Sequence, residues 1–204
     1  MHTMIRHSFF FGFAALVATA NVGCNDNKST EDSGTDASVN TDASTGTVPG
    51  ARTEPEIFGI LDAVNTAEIE QGEIAKDRAA AESVKQFAQM MIDEHGAAKK
   101  RQEALRDQLG QEARDSAKRA ELQQKNDDAK DALRNRSGAE LDAFYVDGQI
   151  QQHEQTLALL DAELIPSART AQLSTELKTT RESVARHLEM AKALKTDGGV
   201  VTMT

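Results

Sequence analysis

Apolar residues recur at intervals of three and four along four long stretches of the chain, the spacing expected of a buried helix face. The pattern is clearest in the second stretch, whose face is formed by Val84, Ala88, Met91, Ala98, Leu105 and Leu109. His95 stands on that face where an apolar side chain is expected. Polar residues interrupt the other three faces in the same way, so these interruptions are the candidate chemistry of the sequence.

Local signals mark where the predicted helices begin and end. Capping-box patterns begin at Thr53, Ser83 and Ser137, and each is typical of a helix N-terminus. Pro166 is expected to break the chain between the third and fourth helices. Residues 111–136 are highly charged and have few apolar positions, which predicts a partly helical crossover on the surface.

These elements predict an all-α protein. We expect a four-helix bundle of ferritin-like connectivity, with a long, partly helical crossover between two antiparallel helix pairs. The bundle should span residues 53–195, and the patternless residues 196–204 should form a disordered tail. Aromatic residues make up only 4% of the chain, which suits a core of Leu, Ala, Ile, Val and Met between close-packed helices.

The N-terminal region predicts export. Residues 8–20 are an apolar run too short to span a membrane, which indicates a signal peptide over residues 1–23. Residues 21–24 resemble a bacterial lipobox that would acylate Cys24, whereas residues 18–20 match an ordinary signal-peptidase site that would leave Cys24 a free thiol. We favour lipidation because Cys24 is the only cysteine. Residues 24–52 are polar and should form a disordered tether.

The predicted location is therefore the bacterial cell envelope, with the protein lipid-anchored and facing the periplasm or the cell exterior. The membrane is its expected partner through the anchor, and the sequence indicates no particular protein partner. The net charge is −10 and no basic strip is present, so nucleic acid is not expected as a partner. No nucleophile motif occurs, and this disfavours an enzyme.

The polar residues of the helix faces predict two layers. From the rise of about 1.5 Å per residue, Glu68 and His95 should both lie near mid-height of the first helix pair, and His153 should join them. Such a group suits Zn, Fe or Cu. It also suits a buried hydrogen-bond network that fixes the helix register, and in that network Glu68 would pair with His95.

The second predicted layer contains Asp142, Tyr145 and His187, because His187 is expected at a different height from the other two histidines. These three side chains can pair without any ligand, so we interpret them as a polar core network. A ferroxidase-type di-iron centre is disfavoured, because such sites carry Glu three residues before His and this chain has Ile or Val there each time.

From about Glu56 to Leu194 the chain resembles an uncharacterised family of secreted bacterial proteins, catalogued as domain of unknown function 4142 and regarded as ferritin-like. The matching positions are Ala67-Glu68-Ile69 with Gly72 and Ala75, residues 84–88, Met91, residues 93–95, Ser137-Gly138, Asp142, Tyr145, His153 and His187-Leu188. The resemblance implies an envelope location and a helical bundle, and it implies no activity.

Two functions follow as hypotheses. The first is a non-enzymatic envelope lipoprotein module with a structural or stress-related role. The alternative is a metal-binding or redox protein that uses the His and Glu residues of the bundle core.

Overall fold

A computed structural model describes residues 51–196 of the chain. The predicted signal peptide, Cys24 and almost all of the predicted tether lie outside the described residues, as does the tail from residue 197. The described part is a bundle of five long helices: α1 (Glu54–Arg78), α2 (Glu82–Gln108), α3 (Ala117–Arg134), α4 (Gly138–Leu159) and α5 (Ala171–Thr196). The predicted all-helical bundle is confirmed. Along residues 51–196, no helix is both long and apolar enough to cross a membrane.

The helices pack as two pairs with the crossover helix laid against the first pair. α1 packs most extensively on α2, and α4 packs on α5, while α3 lies along α1. Because α1 contacts α2, α3 and α4, it is buried on most of its circumference. α3 lies on the surface of the bundle, since only Asn126 and Leu133 of that helix are buried.

Two apolar clusters form the core, one towards each end of the bundle. One contains Val84, Phe87, Leu141, Tyr145 and Leu194 among others, and Phe87 meets Tyr145 edge-to-face with 6.2 Å between ring centroids. The other contains chiefly aliphatic side chains of α1, of α5 and of residues 160–164, which directly follow α4. Its buried members include Ile57, Leu61, Leu160, Leu164, Leu173 and Leu177.

Buried polar side chains lie between these clusters on four of the helices. On α1, α2, α4 and α5 alike, the sequence passes from one apolar cluster through polar positions to the other apolar cluster. The members of this polar layer are Asn65, Glu68, Gln71, His95, Gln102, Gln149, His153, Thr180 and His187. The polar intrusions that the sequence showed separately are thus parts of one layer across the bundle.

Pro166 does not end the helix before it, contrary to expectation. α4 continues through a π-helical turn, Leu160–Leu164, and a short α-helical turn, Ile165–Ser167. Proline lacks the N–H that an uninterrupted α-helix needs, and the wider π-turn directly before it changes the hydrogen-bond pattern at that point. The link to α5 is consequently only three residues long, residues 168–170.

Candidate metal centre

Three histidines from three helices meet in the polar layer: His95 of α2, His153 of α4 and His187 of α5. Their ring centroids are separated by 5.2 Å (His95 to His187), 5.5 Å (His153 to His187) and 6.0 Å (His95 to His153). All three residues are buried, with exposed fractions of 4%, 1% and 1% in chain order. One ring nitrogen from each lies within 4.8 Å of the corresponding nitrogens of the other two.

The outward nitrogen of His95 is held by a chain of hydrogen bonds. His95 Nδ1 lies 2.9 Å from Asn65 Oδ1, and Asn65 Nδ2 donates to Gln102 Oε1 at 2.6 Å. Gln102 Nε2 in turn donates to Thr180 Oγ1 at 3.2 Å. Because the Asn65 oxygen can only accept, Nδ1 of His95 carries the proton and Nε2 is left with a free lone pair.

In each of the other two histidines, one ring nitrogen also donates a hydrogen bond to an acceptor. His153 Nδ1 donates to the Gln149 carbonyl at 2.8 Å, one turn earlier on α4. His187 Nε2 donates to Glu94 Oε2 at 2.9 Å, and Arg186 donates to that same carboxylate oxygen at 2.5 Å. Each acceptor lacks a proton, so the remaining nitrogen of each neutral ring is unprotonated.

The inward nitrogens are therefore His95 Nε2, His153 Nε2 and His187 Nδ1. All three are buried and have no hydrogen-bond partner within residues 51–196. Burial lowers the pKa of His95 well below its ordinary value and also lowers the pKa of His187, so both rings are neutral at pH 7. A buried polar atom without a partner costs about 1–3 kcal/mol, and here three of them belong to histidines that pack against one another.

This arrangement fits a metal ion with a modest adjustment. Zinc binds histidine nitrogen at about 2.0–2.1 Å, so tetrahedral geometry places two such nitrogens about 3.4 Å apart. One nitrogen of each ring lies within 4.8 Å of the others, so no pair would need to approach by more than about 1.4 Å. The outward N–H bonds to Asn65, the Gln149 carbonyl and Glu94 are of the kind that metal-bound imidazoles usually make.

Glu68 lies beside His153 and not, as expected, against His95. Its Oε1 is 3.9 Å from His153 Nδ1, and its Oε2 is buried without a partner among the residues described. Burial raises the pKa of the Glu68 carboxyl, against a smaller opposing effect of His153. Glu68, His95 and His153 thus all lie in the polar layer. The predicted pairing of Glu68 with His95 does not form, because His95 bonds to Asn65 instead.

The predicted second layer is wrong in its membership. Asp142 caps the start of α2, where its two carboxylate oxygens accept from the backbone N–H groups of Ala80 and Ala81, each at 2.8 Å. Tyr145 lies in the apolar cluster, and burial raises the pKa of its hydroxyl well above the ordinary value, with a further contribution from the charge of Glu68. His187 belongs to the histidine group.

The physical reason for this correction is the length of α4. His153 lies fifteen residues before Ala168 and His187 lies seventeen after Thr170, which are the two ends of the α4–α5 link. At 1.5 Å per residue both are about 22–26 Å from that link, so they face each other. A break at Pro166 would move the link toward His153 and away from His187. The two histidines were therefore expected at different heights.

Asn65, Glu94 and Gln149 are site residues that sequence reasoning missed. A signal for Asn65 was present: it lies fourteen residues before Ala79, and His95 lies fourteen after Ala81, so both are equally far from the α1–α2 turn. Glu94 directly precedes His95 and lies at the edge of the buried helix face. The apolar spacing therefore gave no indication that it contacts His187.

Comparison with known proteins gives one match. Residues 39–194 match the family described as "Domain of unknown function (DUF4142)". Neither the search of curated proteins nor that of solved structures found a match.

Proposed function

Because the chain belongs to the DUF4142 family, for which no function is defined, we propose its function from its own site: it is a helical module that binds a divalent transition-metal ion through His95, His153 and His187. One observation carries the proposal. Each of three buried imidazoles has one ring nitrogen bonded to an acceptor and a second nitrogen without a partner, and one ring nitrogen of each lies within 4.8 Å of one from each of the other two.

The competing hypothesis is a hydrogen-bond network that only fixes helix register. The chain from His95 through Asn65 and Gln102 to Thr180 is such a network, and it satisfies the outward nitrogen of His95. A purely structural network would also satisfy the inward nitrogens, because unpaired buried polar groups are rare in native proteins. Imidazole suits Zn, Cu, Fe and Ni, so the residue type agrees with a metal.

The test is metal binding by protein purified without a histidine tag and stripped with chelator. We expect the wild type to bind one equivalent of Zn²⁺ by calorimetry, and His95→Leu to lose that binding. The control is Leu160→Ala. It truncates a buried side chain and should lower the free energy of unfolding by about 2–5 kcal/mol, but it changes no histidine. It should retain one equivalent. Equal Zn²⁺ binding by wild type and His95→Leu would sink the proposal.

We further propose that this module works in the bacterial cell envelope as a non-enzymatic lipoprotein with a structural or stress-related role. The support comes from the sequence alone: an apolar run, then Cys24, then a polar stretch before the bundle. The change Cys24→Ser should move the protein from the membrane to the soluble fraction. A mature N-terminus at Asn21, or unchanged membrane partitioning of the variant, would reject lipidation at Cys24.

Ferritin-like connectivity is also a proposal. It is supported by the packing of α1 on α2 and of α4 on α5, with the chain passing from one pair to the other through α3. An experimental structure in which α1 and α4 ran parallel would reject it.

A further inference from the structure

The three histidines form a ligand set that carries no negative charge. Within residues 51–196, the group of side chains close enough to share an ion consists of His95, His153 and His187, with no carboxylate or thiolate among them. Resting on the metal site proposed above, we infer that this site takes monovalent copper, Cu⁺, in preference to Zn²⁺. Three properties of the group support the inference: its charge, its burial and its number of ligands.

The helix faces that carry the histidines provide no carboxylate beside them. Di-iron and di-manganese sites in helix bundles have glutamate three residues before histidine, on the same face of the helix. In this chain the corresponding residues are Ile92, Ile150 and Val184. The charge that such sites use to hold divalent ions is therefore missing from all three positions.

Two carboxylates contact the histidines from outside the group. Glu94 accepts from His187 at 2.9 Å, and Arg186 donates to the same carboxylate oxygen, which offsets its charge. Glu68 Oε1 lies 3.9 Å from His153 Nδ1, the nitrogen that already donates to a backbone carbonyl. Neither carboxylate is a member of the three-histidine group, so the ion has three neutral ligands.

Burial makes the charge of the ion decisive. The three histidines are at most 4% exposed, and their ring nitrogens without a partner are buried. The Born cost of moving an ion out of water rises with the square of its charge, so for ions of similar radius it is about four times as large for two charges as for one. A buried site with neutral ligands therefore favours the ion of lower charge.

The number of ligands favours the same ion. Four protein ligands surround a structural zinc ion, and in catalytic zinc sites a water molecule or substrate takes the fourth position. Here the group supplies three ligands, and the buried nitrogens have no contact with solvent. Cu⁺ has a filled d shell and is stable with three ligands in a plane, and imidazole is a ligand that suits copper. The three histidines thus satisfy Cu⁺ and leave Zn²⁺ one ligand short.

The experiment challenges the Zn²⁺-loaded full chain with one equivalent of Cu⁺, prepared with ascorbate under nitrogen. Gel filtration followed by elemental analysis gives the zinc and copper that remain bound. We expect the wild type to lose nearly all of its zinc and to retain one equivalent of copper. His95→Leu should retain neither ion.

Val184→Glu tests the role of charge by adding a carboxylate. Val184 is buried three residues before His187 and lines a cavity together with His95 and His187, so a carboxylate there lies next to two of the ligands. This variant should keep most of its zinc in the same challenge. Val184→Gln, similar in size but neutral, is the matched control and should lose zinc like the wild type. Ala98→Glu, on the α2 side of that cavity, is the second variant in case Val184→Glu does not fold.

The outcomes separate the two proposals. Zinc that stays bound to the wild type would overturn the preference for Cu⁺ and leave the metal site intact. Glutamate variants that lose zinc as readily as the wild type would contradict the neutral ligand set as the cause of the preference. Cu⁺ binding by a wild type that takes up no Zn²⁺ would support the preference and reject the divalent ion proposed above. A wild type that retains neither ion would reject the metal site, and the preference would fall with it.

Discussion

Replacing His153 by leucine separates a metal site from a structural network, because the two hypotheses predict opposite effects on the metal-free protein. His153 is buried between the two apolar clusters, and leucine is an apolar side chain of similar size. The substitution removes two features of the ring: the Nδ1–H bond to the Gln149 carbonyl and the buried, unpaired Nε2.

The magnitudes follow from those two groups. Losing the Nδ1–H bond costs about 0.5–1.5 kcal/mol, whereas removing the unpaired Nε2 returns about 1–3 kcal/mol. The Gln149 carbonyl is not left bare, since in an α-helix the backbone N–H four residues later also bonds to it. We therefore expect the metal-free variant to lie between about 0.5 kcal/mol less stable and about 2.5 kcal/mol more stable than the wild type.

Bound Zn²⁺ should make the wild type more stable than His153→Leu. At a free Zn²⁺ concentration of one hundred times Kd, an ion that binds only the folded wild type adds about 2.7 kcal/mol to its free energy of unfolding. For a domain of this size each kcal/mol shifts Tm by about 2–4 °C, so the wild type should gain about 5–11 °C. His153→Leu should gain nothing, because one of the three ligands is gone.

The assays are urea unfolding and thermal melting, each followed by helical circular dichroism, with and without Zn²⁺, on protein stripped with chelator. Leu160→Ala serves as the control for stability alone, and it should lose free energy equally in both conditions. Our reasoning is refuted if His153→Leu destabilises the metal-free protein by more than about 2 kcal/mol and Zn²⁺ leaves the wild type unchanged. That pair of results would mean that the imidazole is a structural hydrogen-bonding group.

Three further predictions concern the surroundings of the site. Asn65→Ala should weaken Zn²⁺ binding about 10–100-fold in calorimetry by freeing the His95 ring, and unchanged affinity would contradict that role. Asp142→Ala should cost about 0.5–2 kcal/mol in urea unfolding through loss of a helix cap, with Zn²⁺ affinity intact; a matching loss of affinity would return Asp142 to the site. The free energy of unfolding of the metal-free protein should fall as pH drops below about 6.5, because burial lowers the pKa of His95 and of His187, so the unfolded chain takes up protons that the folded chain does not. A profile flat between pH 7.5 and 5.5 would be evidence against neutral buried imidazoles.

The helices and their buried faces were determined by local sequence. Spacing of three and four residues along 57–75, 84–109 and 173–194 fixes which side of each helix is apolar, and this property does not depend on any partner helix. Most of these face positions, such as Leu61, Met91 and Leu177, are buried in the bundle. The same spacing identified all three site histidines as members of buried faces, and the structure buries each of them.

Which polar residues meet was decided by the tertiary structure. Contact between two antiparallel helices depends on where the turn between them lies, and each residue of error at the turn moves one side chain by about 1.5 Å along its helix and by about 100° around it. The continuation of α4 past Pro166 brought His187 to His153 and left Asp142 to cap α2. Equal distances from the α1–α2 turn brought Asn65, and not Glu68, to His95. The sequence could place three histidines inside the bundle, but only the packing of α2, α4 and α5 could bring their rings together, because that depends on the turns and, for His95 and His187, on acceptors contributed by other helices.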